Sequence, residues 1–576
     1  MRRFANGLVL LLMASATAAQ EAEEPPPPPP AREAPTSILP DIFGPAPPPP
    51  PRPVPEQRPA LAEPGEGALP GLPAPPAGTV PSRAPAPAEQ AARPAELPGP
   101  TRPAASAGLV TEATIGFPRG IFAGSDGRFL AGLLVRLEGP LASRWGQIAV
   151  QRLLLTEADP PPGIDPGDWL AARTRALVAI GAAAEAHRMV MRVRRADYSP
   201  RLYGAAAHAA LAAGDPLGLC PIAADGRAAS DDNPAFVLAD GYCSAIAGDP
   251  FSANQLFEEA RRRRIADPFD LQLAERIAAL GGTRSAGNPV WREVDALSAW
   301  RVGLATAAGM AVPDNLAAEA GPVVRAWMAR IPRSDPGARA LVAAEAVGMG
   351  AMSAAEAGRL FALDAALAPA GEAAKAHTAG DRNARLRAIE ALWGRAPEGT
   401  LAHWGWKAIT GEAAARIAPA AEIREKAPAL VAAMVAAGYV GNALAWRRLG
   451  EEAGGDTRAE VEAMLAAFER DVKPDLDRLA RQRGAHRAAL VSAGLEGLGR
   501  DVEQPAARLN NSWTQALDAA LAGGRAGEAL VLAATGLQGS IDALAPDHFR
   551  RIVAAFVAAG LGDEARLMVA EAAARG

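Results

Sequence analysis

The chain carries little with which to do chemistry. Cysteine occurs twice in 576 residues, lysine four times against 55 arginines, histidine six times, and aromatic residues make up 5%. Two thiols fall short of the four-ligand set that structural zinc wants, and no histidine stands at ligand spacing from them, so no metal is expected. His187, His208, His377, His403, His486 and His548 are dispersed along the chain. His-Glu-x-x-His, Gly-x-Ser-x-Gly, Ser-x-x-Lys, a Walker loop and Cys-x-x-Cys-His are all missing, so neither a catalytic residue nor a cofactor is expected. A net charge of −5 without interleaved aromatics leaves no footprint for nucleic acid. No stretch beyond the N-terminus approaches the roughly 18 continuous apolar residues of a membrane span, so the mature chain is not expected to insert into a membrane.

Proline and glycine, 53 and 57 residues, are abundant instead, and they fall in order. Pro166, Pro200, Pro234 and Pro268 stand 34 residues apart, and Gly181, Gly214, Gly248 and Gly281 follow at intervals of 33, 34 and 33. A fixed period of this length predicts stacked helical hairpins, each burying its apolar face against its neighbours. Each unit opens on an X-Pro step (Asp165, Ser199, Asn233 or Asp267 before the proline), which suits a capped helix start. The glycine then ends the first helix in left-handed geometry, and a second helix returns antiparallel. In the third unit Ala253 and Ala260 allow close approach and Phe257 fills the space between the helices.

Over about 166–281 the chain resembles the tetratricopeptide repeat, which has a 34-residue unit, a turn glycine, small-aromatic-small offsets and a proline near the unit's end. Gly181 with Ala186, and more loosely Gly438/Ala443, Gly524/Ala529 and Gly560/Ala565, repeat the glycine-plus-five-alanine spacing. The resemblance implies a superhelix with a ligand groove and no catalysis. Single alanine matches carry little weight, because arginine-over-lysine usage and abundant alanine are what a GC-rich genome produces.

At the N-terminus Arg2 and Arg3 precede an apolar run from Leu8 to Met13 and small residues through Ala19, the layout of a secretory signal over 1–19. No cysteine follows for lipidation, so a periplasmic or secreted protein is expected; an uncleaved anchor is the alternative. Residues 20–107 read as a disordered spacer, since 29 prolines between 25 and 103 and almost no branched apolar residues leave nothing to offset the ordering entropy. One apolar island, Ile38, Leu39, Ile42 and Phe43, interrupts it, and two readings stay open: a docking peptide, or a chance patch that packs locally. Residues 108–165 read as an extended lead-in and first helices, 166–285 as the repeats, and 286–576 as further helical hairpins. After removal of signal and spacer about 470 residues remain, more than one compact core usually holds, and an elongated all-α solenoid removes that limit.

Cys220 and Cys243 are expected to form a disulfide, because an exported pair is most simply bridged. Pro216, Gly218, Pro221 and Gly226 break the second unit's return helix, and a bridge to unit three would secure the joint. Arg261 to Arg264 read as a solvated or dipole-facing helix end, and the glycines of Gly494 to Gly499 as packing rather than a phosphate cradle. The function expected from all this is an exported, non-catalytic scaffold whose groove binds a protein or peptide, including components of envelope machinery. The alternative is a cell-wall enzyme or accessory factor. Soluble lytic transglycosylases also carry an alanine-rich superhelix, but their Gly-Leu-Met-Gln type stretch beside the catalytic glutamate is missing here. An ice-active role would need threonines in an 11-residue register, which are missing too.

Overall fold

The computed structural model describes residues 101–230, 233–283, 287, 289–367 and 369–575. Residues 1–100, which include the signal-like N-terminus and the island Ile38–Phe43, lie outside the described residues. The regular elements of the described residues are all helices, with three isolated bridges and no strand among them.

Helices open on all four prolines: Pro166–Ala179, Pro200–Ala212, Pro234–Ile246 and Pro268–Ala279. In each, the preceding residue caps. Asp165 accepts from the Gly167 and Asp168 amides, Ser199 from Leu202, Asn233 from Ala235 and Asp267 from Phe269, at 2.8 to 3.2 Å. These side chains satisfy amides that have no partner within the first turn. Gly181, Gly214 and Gly248 turn the chain with φ of 86°, 73° and 90°. The fourth unit departs from expectation, since the left-handed residue is Gly282 (φ 91°) and not Gly281. A Cβ on Gly281 would overlap the Ala245 carbonyl, so this glycine serves close helix approach and hands the turn to its neighbour.

Return helices follow at Ala183–Val190 and Pro250–Arg263. Ala253 and Ala260 are buried, and the Phe257 ring lies against Gly241, whose added Cβ would sit 2.7 Å from it. In the second unit the return is a 3₁₀ segment, Pro216–Ile222, and a short helix, Ala223–Ala229, which is the break the prolines and glycines require. Cys220 on that segment is bridged to Cys243 on the next unit's helix, with Cα atoms 5.3 Å apart. Tyr242 reinforces the joint by donating to the Pro216 carbonyl at 2.8 Å. Replacing both cysteines by serine should lower stability by about 2–4 kcal/mol in urea titrations with little change in helix content. Two alkylatable thiols in protein purified without reductant would remove the bridge from the account.

The spacer boundary at 107 needs correction, because residues 101–107 are packed. Arg102 N–H donates to the Arg192 carbonyl at 2.7 Å, the Arg102 carbonyl accepts from Arg194 N–H at 3.0 Å, Ala104 N–H donates to Asp197 at 2.9 Å, and Ala104 and Ala107 are buried. The anchor is Arg173, which is 1% exposed and donates to the carbonyls of Ala107, Leu154 and Thr156 at 2.6 to 3.1 Å. Burial pushes its guanidinium down to about 10, and the carbonyls compensate. The lead-in that follows is a looped segment. Phe122 is fully buried against Trp169, with ring centroids 5.0 Å apart, and helices begin at Gly127–Val135 and Arg144–Leu155.

Gly438, Gly524 and Gly560 also adopt positive φ, with Ala443, Ala529 and Ala565 fully buried beyond them, and each ends the first helix of a hairpin. The last helices of the described residues pack back on the first. Helix Gly562–Arg575 packs on Arg144–Leu155, and Ala526–Gly536 packs on both early helices. Backbone bonds seal the joint, from Ala142 N–H to the Leu537 carbonyl at 2.6 Å and from Gly539 N–H to the Pro140 carbonyl at 3.0 Å. One continuous apolar core therefore runs from Ala104 to Ala573, because the last hairpin covers the first helices' outer face.

Candidate binding cavity

A cavity of ≈690 Å³ opens between helices Ala354–Phe361, Ala370–Thr378 and Leu401–Ala415, within the 300–1,000 Å³ typical of ligand sites. Nine alanines and two glycines form most of its wall. Such walls present little side-chain bulk, so a main chain can come close. Phe361 and Ile409 add apolar surface, and Phe361 is stacked on Trp406 at 5.7 Å.

Four polar side chains line it: Arg144, His377, Glu412 and Tyr439. Glu412 is engaged by Arg416 one turn on, and Arg416 also donates to the His377 carbonyl at 3.0 Å. Tyr439 stands just past the turn at Gly438 and is exposed. Arg144 is different. It is 6% exposed, its Nε donates to the Val347 carbonyl at 3.0 Å, and that is the guanidinium's single hydrogen bond among the described residues. Nη1 is buried with no partner. Burial pushes Arg144 down to about 10 against the attraction of Glu571.

A second cavity, ≈610 Å³, lies between the loops at 470–477 and 499–504 and offers no comparable group. Its Arg500 is spent on structure, donating to the carbonyls of Ala466, Glu469, Arg470 and Val472.

The residues singled out from sequence otherwise lie in packing. His187 pairs with Asp215 at 3.1 Å, His208 sits edge-on to Trp327 and is pushed down to about 3 by burial, His403 meets the Trp393 and Ala396 carbonyls, and His548 meets Asn511. Only His377 reaches the cavity; His486 is exposed. Among the described residues no group of three His, Cys, Asp or Glu could hold a metal. Gly494 and Gly497 lie against Val569, Phe549 and Val553. Arg261 pairs with Glu258 and Glu275, and Arg263 with Glu259, at the end of helix Pro250–Arg263. Trp169, Trp300, Trp404 and Trp446 are buried between helices.

Sequence reading missed Arg144, Glu412, Tyr439 and the alanine wall. No motif marks them, and alanine fills core and cavity alike. No family model matches the chain, and no curated protein or solved structure matches it either.

Proposed function

We propose that the protein is an exported, non-catalytic helical-repeat scaffold that seats a peptide segment of a partner protein, of the kind found in envelope machinery, in the alanine-lined cavity. The observation that carries this reading is the cavity's wall. Small side chains admit a main chain closely, and a few polar groups remain to orient it. Export is supported by the signal-like N-terminus and by the Cys220–Cys243 disulfide, which suits an oxidising compartment. No helix of the described residues is long and apolar enough to cross a membrane. The tetratricopeptide-like spacing of 166–281 adds the precedent of peptide binding on stacked helical hairpins.

Gly358 and Gly371 line the cavity, and a Cβ on either meets nothing within 4 Å. Gly358→Trp and Gly371→Trp should therefore fill the space while changing stability by less than about 1 kcal/mol. In pull-downs from periplasmic extract under mild cross-linking, the wild-type chain should enrich a protein that both variants lose. Equal enrichment by the variants would move binding away from this cavity. Turnover of peptidoglycan without an enriched protein would favour the cell-wall enzyme.

A further inference from the structure

We infer that the cavity takes the C-terminal carboxylate of a peptide, held by Arg144. The inference rests on the peptide-binding reading and names the end of the chain that enters.

Arginine cannot shed its charge at physiological pH and brings five N–H donors, so burying it with one hydrogen bond and one ring contact, the Trp145 indole centred 5.1 Å from its Cζ, leaves part of the desolvation penalty uncompensated. The acids nearby are already committed. Glu412 is held by Arg416. Glu571 accepts from Ser143 Oγ at 2.6 Å, from the Arg144 amide at 3.1 Å and from Arg575 Nη1 at 2.7 Å. Neither bonds the Arg144 guanidinium, whose Nη1 has no partner. A carboxylate meets a guanidinium through two parallel hydrogen bonds and supplies the single negative charge that is missing.

The rest of the wall selects which anion. Alanine and glycine make up most of the cavity wall, which suits a small apolar body, and the Glu412 carboxylate in the same wall repels a doubly charged group such as a phosphate more than a singly charged one. A C-terminal carboxylate carries its charge on the main chain itself. It can reach a guanidinium only 6% exposed without the chain continuing past it, while an internal Asp or Glu would require the chain to pass on through the cavity.

The test uses the full chain and N-acetylated tetrapeptide mixtures of random sequence in three forms: free acid, C-terminal amide, and amide with glutamate fixed at the last position. Retained peptides are quantified by mass spectrometry after rapid filtration. Free acids should be retained at least about ten-fold over both amide forms, a margin in keeping with a lost charged hydrogen-bond pair. Arg144→Gln should abolish that preference and Gly358→Trp should abolish retention. If Arg144→Gln fails to fold by circular dichroism, the acid-to-amide ratio on the wild-type chain decides alone. Equal retention of acids and amides would overturn the Arg144 anchor while leaving a peptide-binding cavity. Retention of the glutamate amides at the level of the free acids would overturn the C-terminal assignment. Retention of no peptide in any form would overturn both this inference and the reading beneath it.

Discussion

Glu571→Ala should cost about 3–5 kcal/mol of stability, the loss expected when one partner of a buried ion pair is removed. Glu571 is fully buried on the last helix of the chain and serves the start of helix Arg144–Leu155, some 427 residues earlier in sequence. Its carboxylate accepts from the Ser143 hydroxyl and the Arg144 amide, so it satisfies a helix N-terminus that also bears favourable positive dipole. It also pairs with Arg575, whose side chain is 7% exposed. Alanine would leave that guanidinium charged in an apolar setting and free the cap. Urea unfolding followed by far-ultraviolet circular dichroism measures the loss. Glu571→Gln keeps an acceptor but not the charge and should fall between, and Arg575→Met added to Glu571→Ala should recover part of the stability. A change below about 1 kcal/mol for Glu571→Ala would mean that the ends are held by apolar packing alone.

The second large effect is expected at Gly405. Helices Pro336–Met349 and Leu401–Ala415 cross so closely that a Cβ on Gly405 would overlap the Ala344 carbonyl, and one on Gly348 the Leu401 carbonyl. Both obstacles are backbone, which cannot rotate aside. Gly405→Ala should therefore cost about 1–3 kcal/mol despite alanine's better helix propensity, and Gly405→Leu more. Because Ala408, Ile409 and Glu412 on the same helix line the cavity, ligand retention should fall with it. Gly358→Ala is the control. Its Cβ meets nothing, so it should be neutral or stabilising by up to about 1 kcal/mol. If Gly405→Ala behaved like Gly358→Ala in the same urea titration, the close crossing would be refuted.

These two sites show where legibility ended. Helix starts at Pro166, Pro200, Pro234 and Pro268 were readable because proline and the capping residue before it act within one turn. The turns at Gly181, Gly214 and Gly248 were readable for the same local reason, as were the later hairpins at Gly438, Gly524 and Gly560. The Cys220–Cys243 bridge was readable because the chain holds two cysteines and because the broken segment at 216–229 advertises a weak joint. Gly281 was misread: two adjacent glycines satisfy the same pattern, and only the approach of Ala245 decides which one turns.

What the sequence determined by itself was thus everything governed by neighbours along the chain: all-α class, hairpin punctuation, capping and the disulfide. The tertiary structure alone decided that residues 101–107 pack beneath Arg173, that the last helix closes on the second through Glu571, and that alanines of four helices face a space with Arg144 in its wall. The physical reason is that a carboxylate capping a helix 427 positions away leaves no periodicity, and that alanine, which adds almost no bulk or chemistry, reads the same whether it is pressed against another helix or left bordering a cavity.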